Sequence, residues 1–175
     1  EPMAVLDILT YPDSRLKKKS QPIEVIDEVL QRFISDLEET MLAGPTSAGI
    51  AAPQVGRFER LVIIDVSFKP NIPNHGRLVL INPEIIFHEG AIVGREGCLS
   101  VPDYTGNVSR FERIHLKALD QAGETQDYDM FGYEARAVQH ELDHLDGLLF
   151  LDRLVSRRNS LFRRKVYKQG NLSKQ

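Results

Sequence analysis

The chain lacks what a secreted or membrane-bound protein would need. Its 175 residues contain one cysteine, Cys98, so no intrachain disulfide framework can form, and a free thiol belongs in a reducing compartment. No apolar run approaches the roughly 20 residues that span a bilayer. No basic-then-apolar signal pattern opens the sequence, and repeats, low-complexity tracts and linkers are missing. A net charge of -3 argues against a general binder of DNA or other nucleic acid. These absences point to one domain over 1–175 in a reducing compartment such as the cytoplasm. Glu1-Pro2 ahead of Met3 reads as residues added before the natural start. A composition of 42% hydrophobic and 27% charged residues is ordinary for a soluble domain that buries a full core.

What is present begins with periodicity. Ile26, Val29, Leu30, Phe33, Leu37 and Met41 keep helical spacing between Pro22 and Gly44. Segments 60–66, 77–86 and 108–120 are rich in branched apolar residues and bounded by Pro, Gly or Asn, which predicts strands; 120–123 is a turn leading to another short strand. From Tyr133 onward Val138, Leu142, Leu145 and Leu149 recur at steps of four, three and four. That spacing predicts a helix that no proline interrupts and that Gly147 ends after Asp146. Beyond it Arg153, Arg157, Arg158, Arg163, Arg164, Lys165, Lys168 and Lys174 follow with Asp152 the only acid among them, which reads as a basic, solvated C-terminal helix and tail from 153 onward. The expected fold is α+β: mixed, largely antiparallel sheets wrapped around a central helix carrying HELDH, with N-terminal and C-terminal helices.

HELDH is the densest chemistry in the chain. His140 and His144 lie four residues apart on one helical face, so both can reach a single metal, and Glu141 between them can reach a water there. A metal site that does chemistry usually offers three protein ligands and one open position. A metzincin pattern continues to a third histidine, but Phe150 stands at that place. A thermolysin pattern needs a later glutamate, and none follows Glu141. Asp146 and Asp152 lie too close along the chain to His144 to serve well. Cys98 remains, in Glu96-Gly97-Cys98-Leu99-Ser100, a run suited to a tight turn that presents a thiolate. Taken alone, a single cysteine reads as a small buried hydrophobe, and a bare HExxH often holds no metal. His75, His88 and His115 have no ligand-like spacing and read as surface or hydrogen-bonded structural residues.

Three motifs then occur together: GIAAPQ at 49–54, EGCLS at 96–100 and QHELDHL at 139–145. In content, order and separation they resemble the signature motifs of the peptide deformylases. They cover about a tenth of the chain and their arrangement extends over roughly 5–155. The resemblance implies a metal-dependent amidohydrolase that removes the formyl group from N-formylmethionyl nascent peptides and releases formate. It implies Cys98, His140 and His144 as metal ligands, Glu141 as acid and base, and Gln54 with the Leu99 backbone N–H as oxyanion donors. The physiological metal implied is Fe2+, while the donors themselves accept Zn2+, Ni2+ or Co2+. Gly49, Ile50 and Gly97 are expected to line the groove in which the substrate lies like an added strand, the glycines allowing close approach or positive φ. Glu96 is expected to pair with Arg110 and steady the cysteine turn. Ser47 stands where the family often has glycine, which bears on the shape of the groove. The resemblance also implies a bacterial cytoplasmic or organellar setting and, through the basic tail, contact with ribosomal RNA. Two other classes share parts of this pattern: a zinc endopeptidase, which would not need Cys98, and a metallated ribosome-binding module without turnover.

Overall fold

The computed structural model describes residues 4–164. Its first long element is helix α1 (Glu28–Ala43), which starts where the Asp27 carboxylate accepts a hydrogen bond from the Leu30 N–H at 2.9 Å and satisfies an otherwise orphaned donor. Leu30, Ile34, Leu37 and Met41 form its buried stripe; the expected spacing included Leu30, Leu37 and Met41 but not Ile34, while the expected Val29 is exposed and Ile26 precedes the helix. The chain continues through β1 (Gly49–Ala51), a 3-10 turn (Ala52–Val55), β2 (Leu61–Ile64), β3 (Leu78–Glu89), β4 (Ile92–Cys98), β5 (Val101–Arg110), β6 (Arg113–Leu119) and β7 (Thr125–Phe131). Helix α2 (Gly132–Leu145), a second 3-10 turn (Phe150–Arg153) and β8 (Leu161–Arg163) follow.

The strands form two sheets, in the orders β1-β2-β3-β6-β7 and β4-β5-β8. Every strand pair is antiparallel. The parallel pairing recorded among the described residues is one isolated bridge, Gln21 to Glu59, so the expected mixed character reduces to that contact. Among the described residues the fold is therefore α+β with antiparallel sheets and two α-helices.

Alternation along β2 explains how the large sheet carries a helix on each face. Leu61 and Ile63 pack with Ile34, Leu37 and Ile50 on the α1 side. Val62 and Ile64 pack with Leu80, Leu116, Val138 and Leu142 on the α2 side. Successive side chains point to opposite faces, and with both faces covered the strand reads as an unbroken apolar run. A smaller cluster of Val101, Val108, Leu149 and Phe150 ties the second sheet to the segment after α2.

Three expectations are corrected. The strand expected over 108–120 is two strands in different sheets. At the crossing the Gln139 side chain accepts from the Phe111 N–H and donates to the Phe111 carbonyl, both at 2.9 Å, supplying partners that a continuous ladder would have supplied. The β4–β5 hairpin upstream was not anticipated as strands. The basic C-terminal helix is absent among the described residues: 161–163 instead forms β8, paired to β5 with Leu161 opposite Gly106. Gly106 makes this docking possible, since a Cβ there would stand 3.1 Å from the Phe150 ring and 3.1 Å from the Ser160 carbonyl. Lys165, Lys168 and Lys174 lie outside the described residues. Among those described, no helix is long and apolar enough to cross a membrane.

Candidate active site

Helix α2 is buried at every position from 134 to 145. It ends as expected: Asp146 is its C-cap and Gly147 adopts φ 76, a left-handed conformation that glycine enters without strain, with its N–H donating to the His144 carbonyl at 3.1 Å. A side chain at Gly147 would also strike the Lys17 backbone.

The β4–β5 hairpin brings the cysteine to this helix. Cys98 pairs with Val101 across the Leu99-Ser100 turn, and its Sγ lies 3.3 Å from His144 Nε2. One ligand atom from each of Cys98, His140 and His144 falls within 4.8 Å of the others. The metal-binding unit is thus a Cys/His2 triad shared between a helix and a hairpin, which corrects the picture of an HExxH helix as the site. The carboxylates set aside from the sequence are engaged elsewhere: Asp146 pairs with Arg60 at 3.0 Å, and Asp152 accepts from the Leu149 N–H at 2.9 Å.

Glu141 stands beside the triad, its two oxygens 4.0 Å from His140 Nε2 and from His144 Nε2. Oε1 is buried and has no hydrogen-bond partner. Burial pushes its pKa up to about 7, against the opposing pull of the His140 charge. Burial also holds His144 well below the ordinary histidine value, reinforced by the positive charges of His140 and Arg110. His140 goes the other way: burial opposes its charge, but contacts with Cys98 and Glu96 outweigh it.

Glu96 organises the rear of the site. Its Oε1 accepts from Arg110 Nη2 at 2.9 Å and from His140 Nδ1 at 2.8 Å; Oε2 accepts from Arg110 Nε at 2.9 Å and Arg136 Nη1 at 2.6 Å. Burial disfavours its charge, yet the hydrogen bonds from His140 and Arg110 hold its carboxyl well below the usual carboxylate range. The expected Glu96–Arg110 pair is present, and it belongs to a larger network. Arg110 Nη1 donates to Asp143 at 2.6 Å, which also accepts two bonds from Arg153 at 3.0 Å. Arg136, Asp143 and Arg153 were missed. A signal existed for two of them, because Arg136 and Asp143 lie four before and three after His140, on its own helical face.

On the opposite wall, Gln54 Nε2 donates to Ser100 Oγ at 3.1 Å and approaches Cys98 Sγ at 3.6 Å, while its Oε1 accepts from the Ala51 N–H at 2.9 Å. Gly49, Ser47, Gln54, Gly97 and Leu99 line a cleft of about 580 Å³ together with Cys98, His140 and Glu141. Neither Gly49 nor Gly97 has positive φ. Close approach is the reason for glycine at Gly49, where a Cβ would lie 2.7 Å from the Ile63 carbonyl and 3.0 Å from Glu141 Cγ; at Gly97 the short contact is the end of the Arg164 side chain. Ile50 is corrected as a pocket-lining side chain, because it is fully buried in the α1 cluster. The three other histidines are structural: His75 Nδ1 contacts Glu134 at 2.7 Å, His88 stacks on Phe111, and His115 contacts Asp127 at 3.3 Å.

With this geometry in place, the comparisons with known proteins decide the family. The family model described as polypeptide deformylase matches residues 5–160. The chain belongs to the polypeptide deformylase family. A peptide deformylase of Thermodesulfovibrio yellowstonii is 45% identical over 163 residues, covering 93% of this chain and 97% of that protein. Peptide deformylase 3 of Shewanella oneidensis is 44% identical over 166 residues, 95% of this chain and 99% of that one. Among solved structures, a Met-Ala-Ser-bound class I type b peptide deformylase from Acinetobacter baumannii aligns with a TM-score of 0.81 at 35% identity, covering 87% of this chain and all (100%) of that chain. In this deformylase family member the matched span ends just before β8.

Proposed function

We propose that the Cys98–His140–His144 triad holds one divalent metal ion and that the cleft beside it deformylates new polypeptides. The protein is a deformylase: it removes the formyl group from N-terminal formylmethionine and releases formate. The observation that carries the reading is the convergence of one sulfur and two imidazole nitrogens on a buried carboxylate in an open cleft. The donor set fits a metal, since thiolate and neutral imidazole suit iron, zinc, nickel and cobalt alike, and Glu141 Oε1 is left without a protein partner. We assign Fe2+ as the physiological ion.

When bound, such an ion supplies Lewis acidity, which acidifies water from a pKa of about 15.7 toward about 7 and polarises a carbonyl. Glu141 takes the proton from water as its oxygen bonds to the formyl carbon. It then delivers that proton to the leaving nitrogen as the C–N bond breaks, giving formate and a free amine. Burial favours the protonated form of Glu141 and leaves Oε1 without a protein partner, which suits the carboxyl to both transfers. Gln54 Nε2 and the Leu99 N–H donate to the developing oxyanion; removing one such donor typically costs about 3 kcal/mol of transition-state stabilisation. Gly49 and Gly97 receive the peptide as an added strand. Glu96 and Arg110 fix the His140 ring so that its Nε2 faces the metal position. Residues 1–175 act as one catalytic domain, and the basic tail after 153 contacts ribosomal RNA through phosphate charge.

Formate release from formyl-Met-Ala-Ser, but not from its acetyl counterpart, tests the assignment. Fragments from unmodified casein would indicate an endopeptidase instead, and a fully metallated sample inert toward all three would indicate a non-catalytic module.

A further inference from the structure

Strand β8 follows the span matched by the family model, yet the residue after it reaches the cleft. The Arg164 N–H donates to the Asp103 carbonyl at 2.7 Å, which extends the β5–β8 pairing by a step and fixes where its side chain departs. The guanidinium lies over Gly97: a Cβ built on that glycine would stand 2.6 Å from Arg164 Nη2. Gly97 and Arg164 line the same cavity as Cys98 and Glu141. Among the described residues the Arg164 side chain makes no hydrogen bond or ion pair.

The neighbouring wall carries the same sign. Arg95 also lines the cavity, its guanidinium 3.7 Å over the Phe162 ring of β8 and 3.1 Å from Asn107 Oδ1. The cavity's two acids do not offset these charges. Glu96 is occupied by Arg110, Arg136 and His140, and Glu141 lies at the reacting end. Among the described residues this wall of the groove thus presents the cations Arg95 and Arg164, while Asp103, opposite Arg164 in the β5–β8 register, stands outside the cavity lining.

We infer that Arg164 is a specificity-determining residue that binds a carboxylate side chain of the substrate, in one of the two residues after the formylmethionine. This rests on the deformylase reading and extends it. The planar guanidinium fork matches a carboxylate at two points, which an ammonium does not. Because the pair forms in the bound substrate and touches no reacting atom, it acts through KM and leaves kcat unchanged. An exposed ion pair of this kind gives a preference of about two- to fivefold, weakening as salt screens it.

The test uses the full, metal-loaded chain and amide-capped peptides, so that no terminal carboxylate competes. One pair is formyl-Met-Glu-Ala-Ala against formyl-Met-Lys-Ala-Ala; the other is formyl-Met-Ala-Glu-Ala against formyl-Met-Ala-Lys-Ala. The expected result is a two- to fivefold preference for glutamate, carried by KM, in at least one pair at low salt, about the size of an exposed ion pair. Arg164→Gln should bring that ratio close to one, Arg164→Lys should keep part of it, and the charge-matched Lys117→Gln, exposed on β6 and outside the cleft, should keep all of it. Equal rates within both pairs, or a preference that survives Arg164→Gln, would overturn the inference while leaving deformylation intact. Failure of every formyl peptide would instead overturn the functional reading and this inference with it.

Discussion

Replacing Glu96 by glutamine changes one buried atom and should cost both stability and metal affinity. Each carboxylate oxygen receives two N–H donors, Oε1 from Arg110 and His140, Oε2 from Arg110 and Arg136. An amide keeps one oxygen and turns an NH2 toward the other two donors, whichever way it is oriented. Two hydrogen bonds to a charged group are lost, at about 1.5–3 kcal/mol each, and two buried guanidinium groups lose their counter-charge. Breaking a buried pair from one side typically costs about 3–5 kcal/mol, so the two routes agree on about 4 kcal/mol. For a chain of this size that lowers Tm by about 8–16 °C. The His140 ring loses its acceptor if the amide turns its NH2 to that side, and otherwise keeps a neutral amide oxygen in place of a carboxylate, so metal affinity falls by up to about 10- to 100-fold. Thermal unfolding and competition with a chelator read the two effects separately. Because the folded pKa of Glu96 lies below its ordinary 4.5, its contribution is complete above that value and is lost as pH falls below it toward the folded pKa. The gap between the native chain and Glu96→Gln should therefore narrow on acidification below 4.5. A variant with unchanged Tm and unchanged metal retention at neutral pH would refute the network argument.

Glu141→Ala should retain metal by elemental analysis while turnover of formyl-Met-Ala-Ser falls by about 10²- to 10⁴-fold or more; near-normal turnover would overturn the proton-transfer role. Gly49→Ala drives a Cβ into the Ile63 carbonyl and Glu141 Cγ, so it should lose about 1–3 kcal/mol in denaturant unfolding and lower kcat as well, whereas an unchanged variant would show that β1 can yield. Truncation after Val155 would remove β8 and Arg164 along with the tail, so the ribosome proposal is better tested by Arg157→Gln with Arg158→Gln. That pair should weaken co-sedimentation with ribosomes at low salt and spare hydrolysis; undiminished co-sedimentation would count against the contact.

What could be read from the sequence was what local spacing encodes. Helix α1, helix α2 with its Gly147 end, and the two-histidine face each depend on residues within a few turns of one another. Cys98 was reached by eliminating other third ligands and by the motif order. The break between β5 and β6 could not be read, because 108–120 is continuously β-prone and is interrupted only by Gln139, which arrives from a distant helix. The β4–β5 hairpin was obscured by Gly94 and Gly97, which dilute the alternation that marks a strand. Ile50 looked like a pocket residue because it adjoins Gly49, but the period-two geometry of β1 sends it to the core instead. The tail misled in a different way: its charge is compatible with a solvated helix, while Phe162 under Arg95 and the bare backbone of Gly106 hold residues 161–163 as a strand.

X-ray absorption at the metal edge of the zinc-loaded chain tests the central claim most directly. The account predicts one sulfur at about 2.3 Å and two nitrogens at about 2.0–2.1 Å, with the sulfur shell lost in Cys98→Ala. A native shell of nitrogen and oxygen alone, or a sulfur shell that persists in Cys98→Ala, would contradict it.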